Sequence, residues 1–91
     1  MYMIASLDCK FKTNQVNIEK VLQHYGLRKI QSSLYAGELS NGERKDLCEN
    51  ISEITRQNDS VLIVPICENC YTKKQIMGRE IKFKNDLYRV Y

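Results

Sequence analysis

The chain lacks most of what nucleophilic enzymes are built on. It has one histidine, His24, with no nucleophile placed beside it, which excludes a Ser/His/Asp or Cys/His arrangement. No apolar run approaches the roughly 20 residues that a membrane span needs. The amino-terminal run has no basic lead and meets its first charge at Asp8, too soon for an export leader. Internal repeats and low-complexity segments are missing. Cysteine is sparse, at Cys9, Cys48, Cys67 and Cys70, and with no export signal these read as reduced thiols in a cytoplasmic protein.

What is present suits a single small globular domain over residues 1–91, with a core in 1–78 and a tail in 79–91. Apolar residues make up 43% of the 91, enough to exclude a disordered chain. A chain this short buries a modest core, so pairing with a second copy would help it. The formal charge is +3, from 14 basic and 11 acidic residues, a mild excess that permits a nucleic-acid partner without requiring one.

Tyr2 to Leu7 reads as a central strand, and Asp8 closes it. Ile18, Val21, Leu22 and Tyr25 recur at i, i+3, i+4 and i+7, one stripe of a helix over about 14–25 that leaves His24 outside, and Gly26 sits where a left-handed cap would end it. A strand over about 27–36 follows. Ile30, Ser32, Leu34 and Ala36 would share one face, and Lys29, Gln31, Ser33 and Tyr35 the other, with Gly37 a bend or bulge near its end. Ser40 and Glu43 make a capping box opening a second helix whose core face is Leu47, Cys48, Ile51 and Ile54. Ser60 to Ile66 is an apolar strand in which Pro65 suits only an end or an edge. A short strand over about 74–77 and a weakly alternating tail, with a turn at Asn85-Asp86, complete the chain.

The order β-α-β-α-β-β, with right-handed crossovers, predicts an α+β ferredoxin-like sandwich: an antiparallel sheet, helices on one face, and an extra C-terminal strand or hairpin. The other face would be bare. Gln31, Ser33 and Tyr35 are placed on it as a dimer interface, with a second copy of the chain as the simplest partner. Asp8 is the candidate metal ligand, since a carboxylate at the carboxyl end of a strand can hold a hard cation such as magnesium. One carboxylate is a poor site, and a two-fold axis would supply the second. Lys10, Lys12, Arg28 and Lys29 flank the ends of the first two strands and form a candidate phosphate-contacting band. Cys67 and Cys70 have zinc-ligand spacing, but only one such pair exists, so zinc remains open beside a tight turn with buried thiols, and a thioredoxin-like redox role is set aside because the motif follows an apolar strand and opens no convincing helix.

The spacing from Asp8 to Gly26-Leu27, the segment Arg28-Lys29-Ile30-Gln31-Ser32-Ser33-Leu34-Tyr35-Ala36-Gly37-Glu38-Leu39, and Val64-Pro65-Ile66-Cys67 together resemble the CRISPR-associated "Cas-two" family. The resemblance implies a symmetric homodimer of ferredoxin-like subunits, with two copies of Asp8 across the dyad binding one Mg2+. It further implies metal-dependent endonuclease activity on single-stranded RNA or duplex DNA, and a part in spacer integration with the Cas-one integrase. Two departures stand out. Leu7 replaces the aromatic residue usual before the acid, and Gln15 and Asn17 stand where the family often has arginines; Lys10 and Lys12 supply part of that charge. The alternatives are a stand-alone VapD-like toxin ribonuclease with the same fold and acid, and a non-catalytic interaction module.

Overall fold

The structure is a computed structural model that describes residues 1–81 and 83. Its elements run β1 (Tyr2–Asp8), α1 (Lys12–His24), β2 (Arg28–Gln31), β3 (Leu34–Glu38), α2 (Asn41–Ile54), β4 (Ser60–Ile66) and α3 (Glu68–Thr72). The four strands form one antiparallel sheet in the order β2-β3-β1-β4. This is the ferredoxin-like arrangement, with β1 central and β4, which contains Pro65, at an edge.

Strand alternation builds the core. Met3, Ala5 and Leu7 of β1 are buried, and across the ladders they meet Tyr35 of β3 and the half-buried Val61 and Ile63 of β4. Ile18 and Leu22 of α1 and Leu47 and Ile51 of α2 close over that face. Burying each such side chain contributes about 1.5–3 kcal/mol. Gly26 ends α1 at φ 92°, as its position predicts, and the Ser40–Glu43 capping box forms with both reciprocal bonds. Gly37 is not a bulge. A Cβ there would lie 3.0 Å from the Gly26 carbonyl oxygen and the Leu27 Cα, so glycine lets β3 pass close under the α1–β2 turn. The sheet's irregularity lies instead between Lys29 and Gln31.

The segment expected as one strand over 27–36 is a hairpin. Gln31 pairs with Leu34 across a two-residue turn, Ser32-Ser33, with Ser33 at φ 63° and its carbonyl accepting the Leu7 N–H at 2.9 Å. Ser-Ser carries none of the Gly or Asn signals that announce such a reversal. The expected bare face is corrected as well: Lys29 and Tyr35 do share a face, but it is the one the helices cover. Tyr35 pairs with Ala5 on the helix side, is 1% exposed, and donates its hydroxyl to Glu19 Oε2 at 2.7 Å. Tyr35 is therefore a core residue and cannot line a dimer interface, and Ser33 belongs to the turn.

The open face carries other residues. Tyr2, Ile4, Ser6 and Asp8 alternate onto it from β1, with Leu62 and Val64 beside them on β4. Leu62 is 60% exposed and Val64 40%. At the Tyr2 end, α3 covers part of this face, where Tyr71 stacks on Tyr2 with ring centroids 3.8 Å apart and Phe83 packs edge-on to Tyr71. Residues 74–77 are irregular, where a short strand was expected. The expected turn at Asn85-Asp86 and the strand after it lie outside the described residues.

Candidate metal and nucleic-acid site

Asp8 is the last residue of β1 and is exposed. Alternation turns it to the same face as Ile4 and Ser6, and it pairs with Ser60 at the start of β4. The loop that follows is held by the neighbouring residue Asp59. Its carboxylate accepts from the Arg56 N–H at 3.1 Å, from the Asn14 amide, and from the Lys10 N–H. Asn14, 4% exposed, uses the same amide nitrogen to donate to the Ile54 carbonyl at 3.1 Å, so both of its donor hydrogens have acceptors. The clamp ties the start of α1 to the foot of β4 and fixes Cys9 to Phe11 between them.

The surroundings are electronegative. Burial pushes the Cys9 thiol above its usual range, and the carboxylates of Asp59, Asp8 and Glu19 each push it further. Such a field favours a cation. Among the described residues, however, no three His, Cys, Asp or Glu side chains come together as a metal-holding group. One chain offers a hard-oxygen ligand in a negative field, which fits magnesium only if a second carboxylate arrives from outside the chain.

Lys10 and Lys12 sit exposed in and just after this loop, with the Lys10 ammonium 5.6 Å from the Phe11 ring centre. Phe11 is 57% exposed. Arg28 and Lys29 are exposed as well but lie apart from Lys10 and Lys12. They start the edge strand β2, two strands from β1 and level with Ile4 and Ala5 instead of Asp8. The four basic residues therefore do not form one band within a chain. Gln31 is exposed at the hairpin end nearer Asp8.

Sequence reasoning did not find the Asn14–Asp59 clamp. Asn14 lies one helical turn before Ile18 on the core stripe, and a polar residue in that row is the one local signal for it. Cys67 and Cys70 also differ from expectation. Both are exposed, and Cys67 is the N-cap of α3, so the thiols do not lie buried in a turn.

The comparisons bear on the family and the fold. The family model described as CRISPR associated protein Cas2 matches residues 1–74. The chain belongs to that family, small ferredoxin-like proteins of CRISPR systems. It is 29% identical over 71 residues to a protein of Archaeoglobus fulgidus named CRISPR-associated endoribonuclease Cas2 1, covering 77% of this chain and 76% of the relative. A crystal structure of cas2 superposes with a TM-score of 0.74 at 30% identity, covering 88% of each chain. The Streptococcus pyogenes Cas2 structure at pH 6.5 superposes with a TM-score of 0.73 at 17% identity, covering 86% of this chain and all of that one, a likeness of fold. Among the described residues no helix is long and apolar enough to cross a membrane.

Proposed function

We propose that the chain acts as a self-paired, magnesium-binding, nucleic-acid-handling subunit of CRISPR adaptation, working beside the Cas-one integrase. The observation that carries this reading is the position of Asp8. It shares the open sheet face with Ile4, Leu62 and Val64, an apolar patch that a second copy would cover. Two sheets stacked through that patch bring two Asp8 carboxylates toward one axis. The two Asp8 carboxylates would hold magnesium, which would supply polarisation of a phosphate and a more acidic bound water. Lys10 and Lys12 hold phosphates beside the acid, and pairing doubles their number. Arg28 and Lys29 extend the contact along the outer strand, to duplex DNA or to single-stranded RNA. The relatives' name, endoribonuclease, supports phosphodiester hydrolysis as the associated activity.

The test compares the parent chain with Asp8→Asn and with Lys10→Ala/Lys12→Ala. Labelled duplex DNA and single-stranded RNA are followed for binding and for cleavage in Mg2+. The reading expects cleavage that EDTA abolishes and Asp8→Asn removes. It expects binding that falls steeply with salt, with a smaller salt slope in the lysine variant. Cleavage that Asp8→Asn leaves unchanged contradicts the catalytic role. Absence of binding to both nucleic acids at low salt contradicts the whole reading.

A further inference from the structure

Cys67 and Cys70 are two of the four cysteines, none of which the nucleic-acid reading uses. Both are exposed, whereas Cys9 and Cys48 are half-buried. Cys67 caps α3, and its Sγ accepts the Cys70 backbone N–H at 3.4 Å. That nitrogen is three bonds from the Cys70 sulfur, so rotation about one side-chain bond governs the distance between the two thiols. Capping explains only Cys67. It gives no reason for a second exposed thiol one turn on.

We propose that Cys67 and Cys70 form a redox-active dithiol that closes to an intramolecular disulfide by exchange with a low-molecular-weight disulfide of the glutathione class. The two thiols are unequal. The Cys70 N–H, and then the Cys70 thiol, hold the Cys67 thiol below its usual range, while that same hydrogen bond and the Cys67 charge hold Cys70 above it. Cys67 is the attacking sulfur. Its thiolate attacks one sulfur of the reagent, whose S–S bond breaks and releases one thiolate. The Cys70 thiol then gives its proton to solvent and attacks Cys67 Sγ in the mixed disulfide. The second thiolate leaves and takes up a proton. The two protein thiols lose two electrons, and the reagent disulfide becomes two thiols. Reversible disulfides of this kind are the ones that reduced compartments retain. The site bears on the rest of the molecule because Tyr71, next to Cys70, packs on Tyr2 at the covered end of the open face.

The test equilibrates the full chain in reduced/oxidised glutathione mixtures, quenches with iodoacetamide and reads each cysteine by peptide mass spectrometry. The expected result is joint loss of the Cys67 and Cys70 thiols as one internal disulfide, with Cys9 and Cys48 still alkylated. In the reduced chain Cys67 is alkylated at least about ten-fold faster than Cys48. Cys70→Ser leaves a glutathione adduct on Cys67, and Cys67→Ser suppresses the reaction of Cys70. Both variants alter exposed residues, and circular dichroism checks their fold. Full alkylation of both cysteines across the oxidising range overturns the proposal, as does a covalent dimer in place of the internal disulfide. Asp8→Asn should not change the titration, so failure of the nuclease reading and failure of this one are distinguishable.

Discussion

The Asn14 amide, at the start of α1, donates to the Asp59 carboxylate at the foot of β4, joining residues 45 apart in the chain. This contact sets the loop between Asp8 and α1. Asn14→Ala leaves the Ile54 carbonyl and Asp59 short of a partner in a half-buried place. The expected cost is about 1–3 kcal/mol in urea denaturation. Asp59→Asn tests the charge. Desolvation pulls the Asp59 carboxyl up, but the bonds from Arg56, Asn14 and Lys10, with the Arg56 charge, prevail and hold it below its usual value. A depressed carboxylate adds stability that is present above its unfolded pKa and lost as pH falls through the folded one. The variant should therefore lose stability at neutral pH and show a flatter decline below about pH 4.

Tyr35 makes the opposite prediction at high pH. Burial raises its phenol above the usual range, and the Glu19 hydrogen bond and charge raise it further, against a smaller opposing bond from Gln23. The unfolded chain ionises its tyrosines near pH 10, while folded Tyr35 keeps its proton. The unfolded state then binds fewer protons, so stability falls as pH rises past about 10. Tyr35→Phe should cost about 1 kcal/mol at neutral pH and soften that alkaline decline in thermal melts.

Gly37 tests the close passage of β3 beneath the α1–β2 turn. Gly37→Ala puts a methyl group 3.0 Å from backbone that has no rotamer to shift. The expected loss is on the order of 1–3 kcal/mol. Gly42→Ala, in the first turn of α2 with nothing within 4 Å of its Cβ, serves as the control and should be neutral or stabilising by up to about 1 kcal/mol.

Most of the frame is legible in the sequence because it rests on local patterns. Ile18, Val21 and Leu22 give the period of α1, Gly26 its stop, Ser40 and Glu43 the start of α2, and Pro65 an edge place for β4. The hairpin is not legible, because Ser33 takes its left-handed conformation without a glycine and is held there by Leu7, a residue far away in sequence. Tyr35 is misplaced for a different reason: it shares a face with Lys29 as expected, but the apolar Leu34 and Ala36 on the other side mark that side as core, whereas the helices cover Tyr35. The five-residue α3 is too short to show a period. The position of Asp8 at the carboxyl end of β1 is legible because it needs only the extent of the first apolar run. The Asn14–Asp59 clamp pairs distant residues that no local window connects.

Leu62 tests the open face. Its side chain is 60% exposed on the edge strand β4, where it belongs to the apolar patch and is not part of the core. Leu62→Asp should leave the circular-dichroism spectrum of the folded chain unchanged and convert a dimer to a monomer in sedimentation equilibrium, because two buried like charges would face each other. A dimer of unchanged affinity would assign pairing to another surface.

Magnesium stoichiometry tests the shared site most directly. Isothermal titration of the parent chain, with its oligomeric state fixed by sedimentation, should find one ion per two chains. Asp8→Asn should abolish that binding, and Leu62→Asp should abolish it through loss of pairing with Asp8 intact. One ion per chain that persists in the Leu62→Asp monomer would contradict a site built from two copies of Asp8.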